Sequence, residues 1–546
     1  LSRAGVLKFR DYGLSSKAMT SHRARPYILL FVLTIILRLA TALPLQQAGY
    51  MDASYALHVA ENLARGRGFT EDVLWNYLDN PAGLPHPSNL YWMPLPSILI
   101  APFFALLGVS YRVAQIPFIV LSALLPLFAF YLSRKIFVRD DYAWAAAIFT
   151  AFSGFYTIYW VSPDNFTPFA LTASVSLYVM ARGIETGAAR YLFAAGILIG
   201  LSHLARADGA LLLAVAPLAV LMHRPTRTFR AVGLFTVYCL LGYLLVMSPW
   251  FARNYIAVGT PYPGAGTKTL WLTNYNELFH YADDLTPARY LASGIDSILS
   301  SKALAAGRNL LIITFGDLQV FLVPVVMIGL WQLRRRIEML PFFIYAALLY
   351  AVMTIVFTFP SWRGSLLHSA AALLPFFAVA APPGIDATVR WVARRRLTWD
   401  AAQASRFFII GFCALGIFLA LLLYSLGVFG PQGGDTPLWN LRDSQYVEIA
   451  RWLDQNARAE DSVMVSDPPS FYNSSHRSAI MFPTDNVATI FAAARRYGVR
   501  YLILESDHPD SLADLYNQHI PVAGLAPVAE FSDALGRPVT LLAIDP

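Results

Sequence analysis

The stretch GYMDASYALHVAENLARGRGF, Gly49–Phe69, decides the fold class. An apolar run at 27–45, long enough to cross a bilayer, leads directly into it. Asp52 follows at the membrane surface, and the chain then reads as an interfacial helix with Ala56, Leu57, Ala60, Leu63 and Ala64 on one side. An acid held just outside hydrocarbon is expensive to place, and it is well placed to meet a substrate delivered by a lipid.

Composition agrees. The 546 residues are 57% hydrophobic and only 14% charged, with mean hydropathy +0.50. A soluble chain of this size needs more charge, so this is a polytopic membrane protein. Cys239 and Cys413 both lie in apolar runs, which argues against a disulfide scaffold or a cysteine metal site. The net charge of +7 is gathered in short clusters between apolar runs, an orientation signal rather than a nucleic-acid surface. The N-terminus lacks the features of a cleavable signal peptide, and residues 1–20 are the one candidate for disorder.

Apolar runs lie at 27–45, 113–133, 142–161, 165–182, 191–206, 209–222, 231–251, 310–333, 340–359, 366–385 and 406–429, about eleven spans. The segment 93–108 is short and carries Pro94, Pro96 and Pro102, which suits a surface or re-entrant helix. With that segment uncrossed, Lys17/Arg23/Arg25, Arg134/Lys135/Arg139, Arg182/Arg190, Arg224/Arg227/Arg230, Arg334–Arg336 and Arg390/Arg394–Arg396 share one side. The expected organisation is a cytoplasmic segment 1–26, a membrane domain 27–429 with a long first outer loop 46–112, and an extracytoplasmic domain 430–546. Loop 252–309 is also expected outside. In the last domain, candidate strands at Ser462–Ser466, Tyr501–Glu505 and Thr540–Ile544 alternate with helices at Ser444–Asn456 and Asn486–Tyr497, a small α/β unit.

This orientation gathers unusual charges at the outer face: Asp52, Asp164 in SPDNF, Arg206 and Asp208 in HLARADG, Arg253 in PWFARNY and Arg363 in PSWRGS. Arginine forks suit phosphate oxygens, and an aspartate in their company suits a general base toward a hydroxyl. Plainer readings stand beside these. Asp52 is equally a helix cap, Arg253 and Arg363 equally headgroup anchors, and Asp208 a partner of Arg206 across its turn. Arg38, deep in the first span, is a functional candidate or a buried partner of a neighbouring helix. His58 and His86 show no metal-ligand spacing. Trp75, Tyr77, Tyr91 and Trp92 offer sugar-stacking faces or an interfacial belt. Asn165 and Asn473 match the glycan sequon, a pattern frequent by chance.

The order of these segments resembles the GT-C superfamily of membrane glycosyltransferases, in particular the protein mannosyltransferase and aminoarabinose transferase branch. MDASYALHVAENLARGRG resembles the family's first outer loop, PHPSNLYWMPLPSILIAPFFALLG its second interfacial helix, and SPDNF, LARADG and SPWFARNYIAVGTPYP its later outer turns. The resemblance implies inverting transfer of a sugar from a polyprenyl-phosphate donor to a hydroxyl on a protein, lipid or glycan, at the non-cytoplasmic face of the inner (plasma) membrane. It implies Asp52 as base and Asp164 as an assisting acid, with Arg206 and Arg253 at the donor phosphate. Arg363 joins the phosphate set by its place at the same face, and His58, His86, Trp75 and Tyr91 form the expected substrate lining. The first loop has one acid where some members carry an adjacent pair, so no metal ligand is assigned and a divalent cation stays open. No WWDYG-type signature occurs in the C-terminal segment, and no Walker loop occurs anywhere. The competing class is a secondary transporter or lipid-linked sugar flippase, which would place charges at the midplane between two related halves.

Overall fold

A computed structural model describes residues 16–223, 228–281, 284–396, 398–431 and 436–545, with side chains from residue 24 onward. Arg224, Arg227 and the side chains of Lys17 and Arg23 lie outside the described residues, as does most of the 1–20 stretch. Helix α1 (Ser16–Ala42) leads to the interfacial helices α2 (Met51–Ala64) and α3 (Leu95–Leu107). Next come α4 (Tyr111–Phe137), α5 (Asp140–Ala151), the single turn α6 (Tyr156–Tyr159), α7 (Phe166–Thr186), α8 (Ala189–Ala205), α9 (Leu212–Met222) and α10 (Phe229–Val258). The short α11 (Ala265–Lys268) and α12 (Pro287–Ala292) precede α13 (Ile295–Ile312), α14 (Val323–Leu333), α15 (Leu340–Ile355), α16 (Thr358–Pro360), α17 (Leu366–Ala370), α18 (Leu374–Ala393) and α19 (Ala401–Phe429).

Seven helical stretches among the described residues are long and apolar enough to cross a membrane: 24–42, 111–137, 229–258, 295–317, 337–355, 358–393 and 401–429. Of the eleven expected runs, 165–182, 191–206 and 209–222 form helices α7, α8 and α9 that are not among these seven, and the division differs in three further places. Expected span 142–161 breaks after Ala151, where Gly154 takes φ +60 and packs on the Gln319 side chain. Expected span 310–333 breaks as well: α13 ends in a π turn (Ile313–Asp317), and Gln319 and Val320 follow at φ 47 and 61. Loop 252–309 contains most of α13, whose Asp296, Lys302 and Arg308 dilute its apolar pattern. Helix α3, about 20 Å long, is short of the ~30 Å hydrocarbon core and packs through Ile100 and Phe104 on Ala56 and Ala60 of α2.

Small residues bring the membrane helices into backbone contact. A Cβ on Gly242 of α10 would lie 2.1 Å from the Phe193 carbonyl oxygen of α8, and one on Gly384 of α18 would lie 1.8 Å from that of Val325 in α14. Neither neighbour can yield without moving a helix. Gly384→Val is expected to cost about 1–3 kcal/mol, seen as a lower thermal midpoint of detergent-extracted protein. An unchanged midpoint would show that the α14–α18 contact is not limiting.

The first loop forms the short strands β1 (Thr70–Glu71), β2 (Val73–Leu74) and β3 (His86–Pro87). After α19 the chain runs α20 (Ser444–Asn456), β4 (Ser462–Val465), α21 (Pro468–Ser475), β5 (Ala479–Met481), α22 (Val487–Tyr497), β6 (Val499–Leu504), α23 (Ala513–Gln518), β7 (Leu525–Ser532) and β8 (Pro538–Ile544). The expected strands and helices are present to within a few residues. What differs is the boundary, because β2 belongs to this sheet, whose order is β2-β5-β4-β6-β8-β7. Val73 and Leu74 pair in parallel with Ala479 and Ile480, and the Tyr77 hydroxyl donates to the Met481 carbonyl. The 252–309 segment is tied in too: Tyr281 N–H donates to Asp485 Oδ2 at 2.7 Å and Thr484 Oγ1 to the Asn276 carbonyl at 2.9 Å. The α/β unit is thus fastened to both long loops rather than appended after them.

Candidate active site

Helix α2 starts at Tyr50, in extended conformation (φ −167), and places Asp52 in its first turn, where the helix dipole favours an acid. The short turn Ser162–Asn165 before α7 supplies Asp164, and α17 supplies His368. One ligand atom from each of Asp52, Asp164 and His368 lies within 4.8 Å of the others. Tyr50 donates its hydroxyl to Asp164 Oδ2 at 3.0 Å, and the Asn165 N–H donates to Oδ1. Asn165 Oδ1 accepts from His368 Nδ1 at 2.7 Å and from Arg206 Nη1 at 3.3 Å. With Nδ1 donating, the His368 Nε2 lone pair is left for another partner. Phe166 stacks on the imidazole at 3.7 Å.

Arg206 caps α8 and ties three segments together. Its Nε donates to Asp208 Oδ1 at 3.0 Å and Ser369 Oγ at 3.1 Å, and its Nη2 donates to Ser365 Oγ at 2.9 Å. Asp208 is therefore its turn partner, as one sequence reading has it. Arg363 is exposed, stacks over Tyr275 at 4.6 Å and has no carboxylate partner among the described residues. All these groups except Tyr50, Phe166 and Ser369 line one cavity of about 530 Å³. Its lining also includes Trp75 and Trp92, stacked at 3.8 Å, with Tyr91 edge-on to Trp75. Apolar side chains of α10 and α15, including Met247, Phe251 and Met353, complete the lining.

Three expected members fall outside the cavity lining. His58 is fully buried behind α2, accepts from the Asp72 N–H at 2.9 Å and packs on Tyr472. His86 lies 3.0 Å from Glu71 Oε1 and 3.1 Å from the Val73 carbonyl. Burial pushes their pKa values down to about 3 and about 4, so both are neutral supports of the first loop. Arg253 is not among the residues lining the cavity and donates to the Phe69 carbonyl at 2.7 Å and to Asn254 Oδ1 at 3.0 Å, tying the first loop to α10. Arg38 is a buried partner of a neighbouring helix: fully buried, it donates to the Ala151 carbonyl at the end of α5. Sequence reasoning missed His368 and Asn165, and it read Asn165 only as a chance sequon.

Burial and Asp164 raise the pKa of Asp52, with Arg206 pulling the other way. Burial also raises that of Asp164, against the Asn165 N–H, Tyr50 and Arg206. Carboxyls with folded pKa values above their ordinary range add stability at low pH, and that contribution is lost as pH rises through the folded values. Two carboxylates and an imidazole, with His368 Nδ1 3.9 Å from Asp164 Oδ2, form a donor set that fits a divalent cation once Nδ1 is released from Asn165, and the cation would offset the repulsion between the acids. We expect a manganese or magnesium salt to stabilise the native protein by up to ~2.7 kcal/mol at a hundredfold excess over Kd, read as a higher thermal midpoint. His368→Ala should lose most of that shift. An equal shift in the variant would remove His368 from the cation site.

Residues 86–252 match the family model described as dolichyl-phosphate-mannose-protein mannosyltransferase. No curated protein matches the chain in sequence. The archaeal oligosaccharyltransferase AglB from Archaeoglobus fulgidus, solved with an inhibitory peptide and a dolichol-phosphate, is similar with TM-score 0.56 and 13% identity, over 88% of this chain and 70% of that one. ArnT from Cupriavidus metallidurans, bound to undecaprenyl phosphate, is similar with TM-score 0.56 and 14% identity, over 95% and 98%. At such identities the shared property is the backbone architecture. Together with the matched segment it shows that this chain has the GT-C fold of membrane glycosyltransferases.

Proposed function

We propose that the protein is an inverting glycosyltransferase that moves a sugar from a polyprenyl-phosphate donor to a hydroxyl acceptor, with Asp52 as general base. The observation that carries this reading is the pairing, in one cavity, of the Asp52–Asp164 pair with Arg363, which has no acid partner among the described residues. A prenyl phosphate held at its apolar wall would set its phosphate against Arg363 and Arg206. The acceptor oxygen bonds to the anomeric carbon as the carbon–oxygen bond to phosphate breaks. Asp52 takes the acceptor proton, and the arginines stabilise the departing prenyl phosphate. Trp75, Trp92 and Tyr91 would stack on the sugar or acceptor. The two neighbours solved with prenyl phosphates support the donor class. Arg182 and Arg390 lie at the ends of α7 and α18 remote from Asp164 and His368, which supports an N-terminus in the cytoplasm and a cavity and α/β unit outside the plasma membrane.

The test is release of prenyl phosphate by purified protein given a prenyl-phosphate sugar and a hydroxyl acceptor, with the anomeric configuration of the product read by NMR. Retention of configuration, or no release with any donor sugar, would count against it. Because burial and Asp164 both disfavour the charged form of Asp52, turnover is expected to rise with pH across the neutral range. Asp164→Asn removes one of those causes and should move the rising limb to lower pH. A limb that stays in place would mean Asp52 is not the titrating base.

A further inference from the structure

Two broken helices meet beside the segment that carries His368. The α5–α6 break brings in Tyr156, and the π turn after α13 closes on Asp317. Asp317 is 3% exposed, its Oδ2 has no hydrogen-bond partner, and no cation pairs with it among the described residues. Its Oδ1 lies 2.9 Å from the Tyr156 hydroxyl, and the same hydroxyl lies 2.8 Å from the Leu367 carbonyl oxygen. A phenol carries one hydrogen. The Leu367 carbonyl can only accept, so two contacts around one phenol oxygen need a second hydrogen, and of these two partners only the carboxyl can bring it. An ionised Asp317 would leave two oxygens facing each other without a hydrogen and an unpaired anion in a low-dielectric interior.

We infer that Asp317 is a protonated carboxylic acid that donates to Tyr156, and that the pair is a positioning device for the cavity. Tyr156 donates in turn to Leu367, the residue before His368. The Tyr156 ring packs on Trp160 and edge-on to Phe166, and Phe166 stacks on His368. Thr167 Oγ1 donates to the Trp160 carbonyl at 2.9 Å, closing the turn that carries Asp164. One buried hydrogen bond therefore holds together the segments that supply Asp164 and His368. Neither Asp317 nor Tyr156 lines the cavity, so neither is catalytic.

The protonation is tested by infrared difference spectra of wild type against Asp317→Asn in a native bilayer at neutral pH. Loss of a protonated carboxyl C=O band is expected; loss of a carboxylate band instead would overturn the inference. The positioning role rests on the glycosyltransferase reading and is tested by kinetics. Asp317→Asn keeps a donor N–H in the same place and should stay within about threefold of wild-type kcat. Asp317→Leu and Tyr156→Phe should each lose about tenfold or more in kcat at unchanged KM for the lipid donor, and the double variant should be no worse than either single one. A folded Asp317→Asn as impaired as Asp317→Leu would refute the neutral-donor role. If wild type transferred no sugar, the functional reading would fail, while the infrared band would still decide the state of Asp317.

Discussion

Asp52→Asn is expected to lower kcat for prenyl-phosphate release by about 10²–10⁴-fold, the range for removal of a general base, with KM for the lipid donor nearly unchanged. Asparagine keeps the size of the side chain and its place in the first turn of α2, but it cannot take a proton. The fold should tolerate the change. Loss of the acid at the helix N-terminus costs about 0.3–1 kcal/mol, and relief of its repulsion with Asp164 works the other way. Single-turnover assays with a prenyl-phosphate sugar separate the chemical step from donor binding. Wild-type turnover in the variant would move the base elsewhere, with Asp164 first in line.

The second large effect is expected at Arg206. Lysine keeps the charge but offers one nitrogen in place of a fork that reaches Asp208, Ser369, Asn165 and Ser365. Arg206→Lys should therefore lose about 10²–10³-fold in kcat, and it should also weaken the cation-dependent thermal shift, because Asn165 loses one of the two donors that orient it toward His368. Arg363→Ala makes the contrast. That side chain is exposed and has no acid partner among the described residues, so its loss should raise KM for the donor by about tenfold, the scale of one charge-assisted bond, with a smaller change in kcat. Equal behaviour of the two variants would mean that the distinction between a scaffold arginine and a ligand arginine is wrong.

How much of this is legible in the sequence depends on where each signal resides. Helices α4, α10 and α19 are long, apolar and uninterrupted, so hydropathy alone finds them. In the α/β unit, runs such as Ser462–Val465 are bounded by turns and flanked by amphipathic helices, and they are found as readily. The breaks in α5 and α13 carry only weak local signals, Ser153-Gly154 in the first and Gly316-Asp317 in the second, inside runs whose hydropathy stays high, and the meeting of Gly154 with the Gln319 side chain is visible only in the fold. Asp52, Asp164, Arg206 and Arg363 are visible as charges in turns between apolar runs. His368 sits within an apolar helix, and its partner Asn165 lies some 200 positions earlier in the chain. Its one local signal is an ionisable residue inside a membrane helix, just after Gly364 at φ 128. Strand β2 has only two residues, too short for any alternation to register.

That two-residue strand also sets a timetable. The helix bearing Asp52 rests on the α/β unit through Ser54 and Ser470, 416 positions apart, 2.8 Å between their hydroxyl oxygens. At about 5–20 residues per second, the ribosome releases the later partner tens of seconds after the earlier one. Throughout that interval β5 has yet to be made, and the first loop waits with its strand edge open. The residues that line the cavity are all made once the chain reaches His368, but the first loop that carries Asp52, Trp75 and Trp92 is braced only when β5 and Ser470 arrive, so a nascent or truncated protein can sit in the bilayer with its spans inserted and still be inert. Cutting the chain after α19 should accordingly yield an inserted protein without catalytic capacity, and a free 430–546 fragment should self-associate through the uncovered edge of β5.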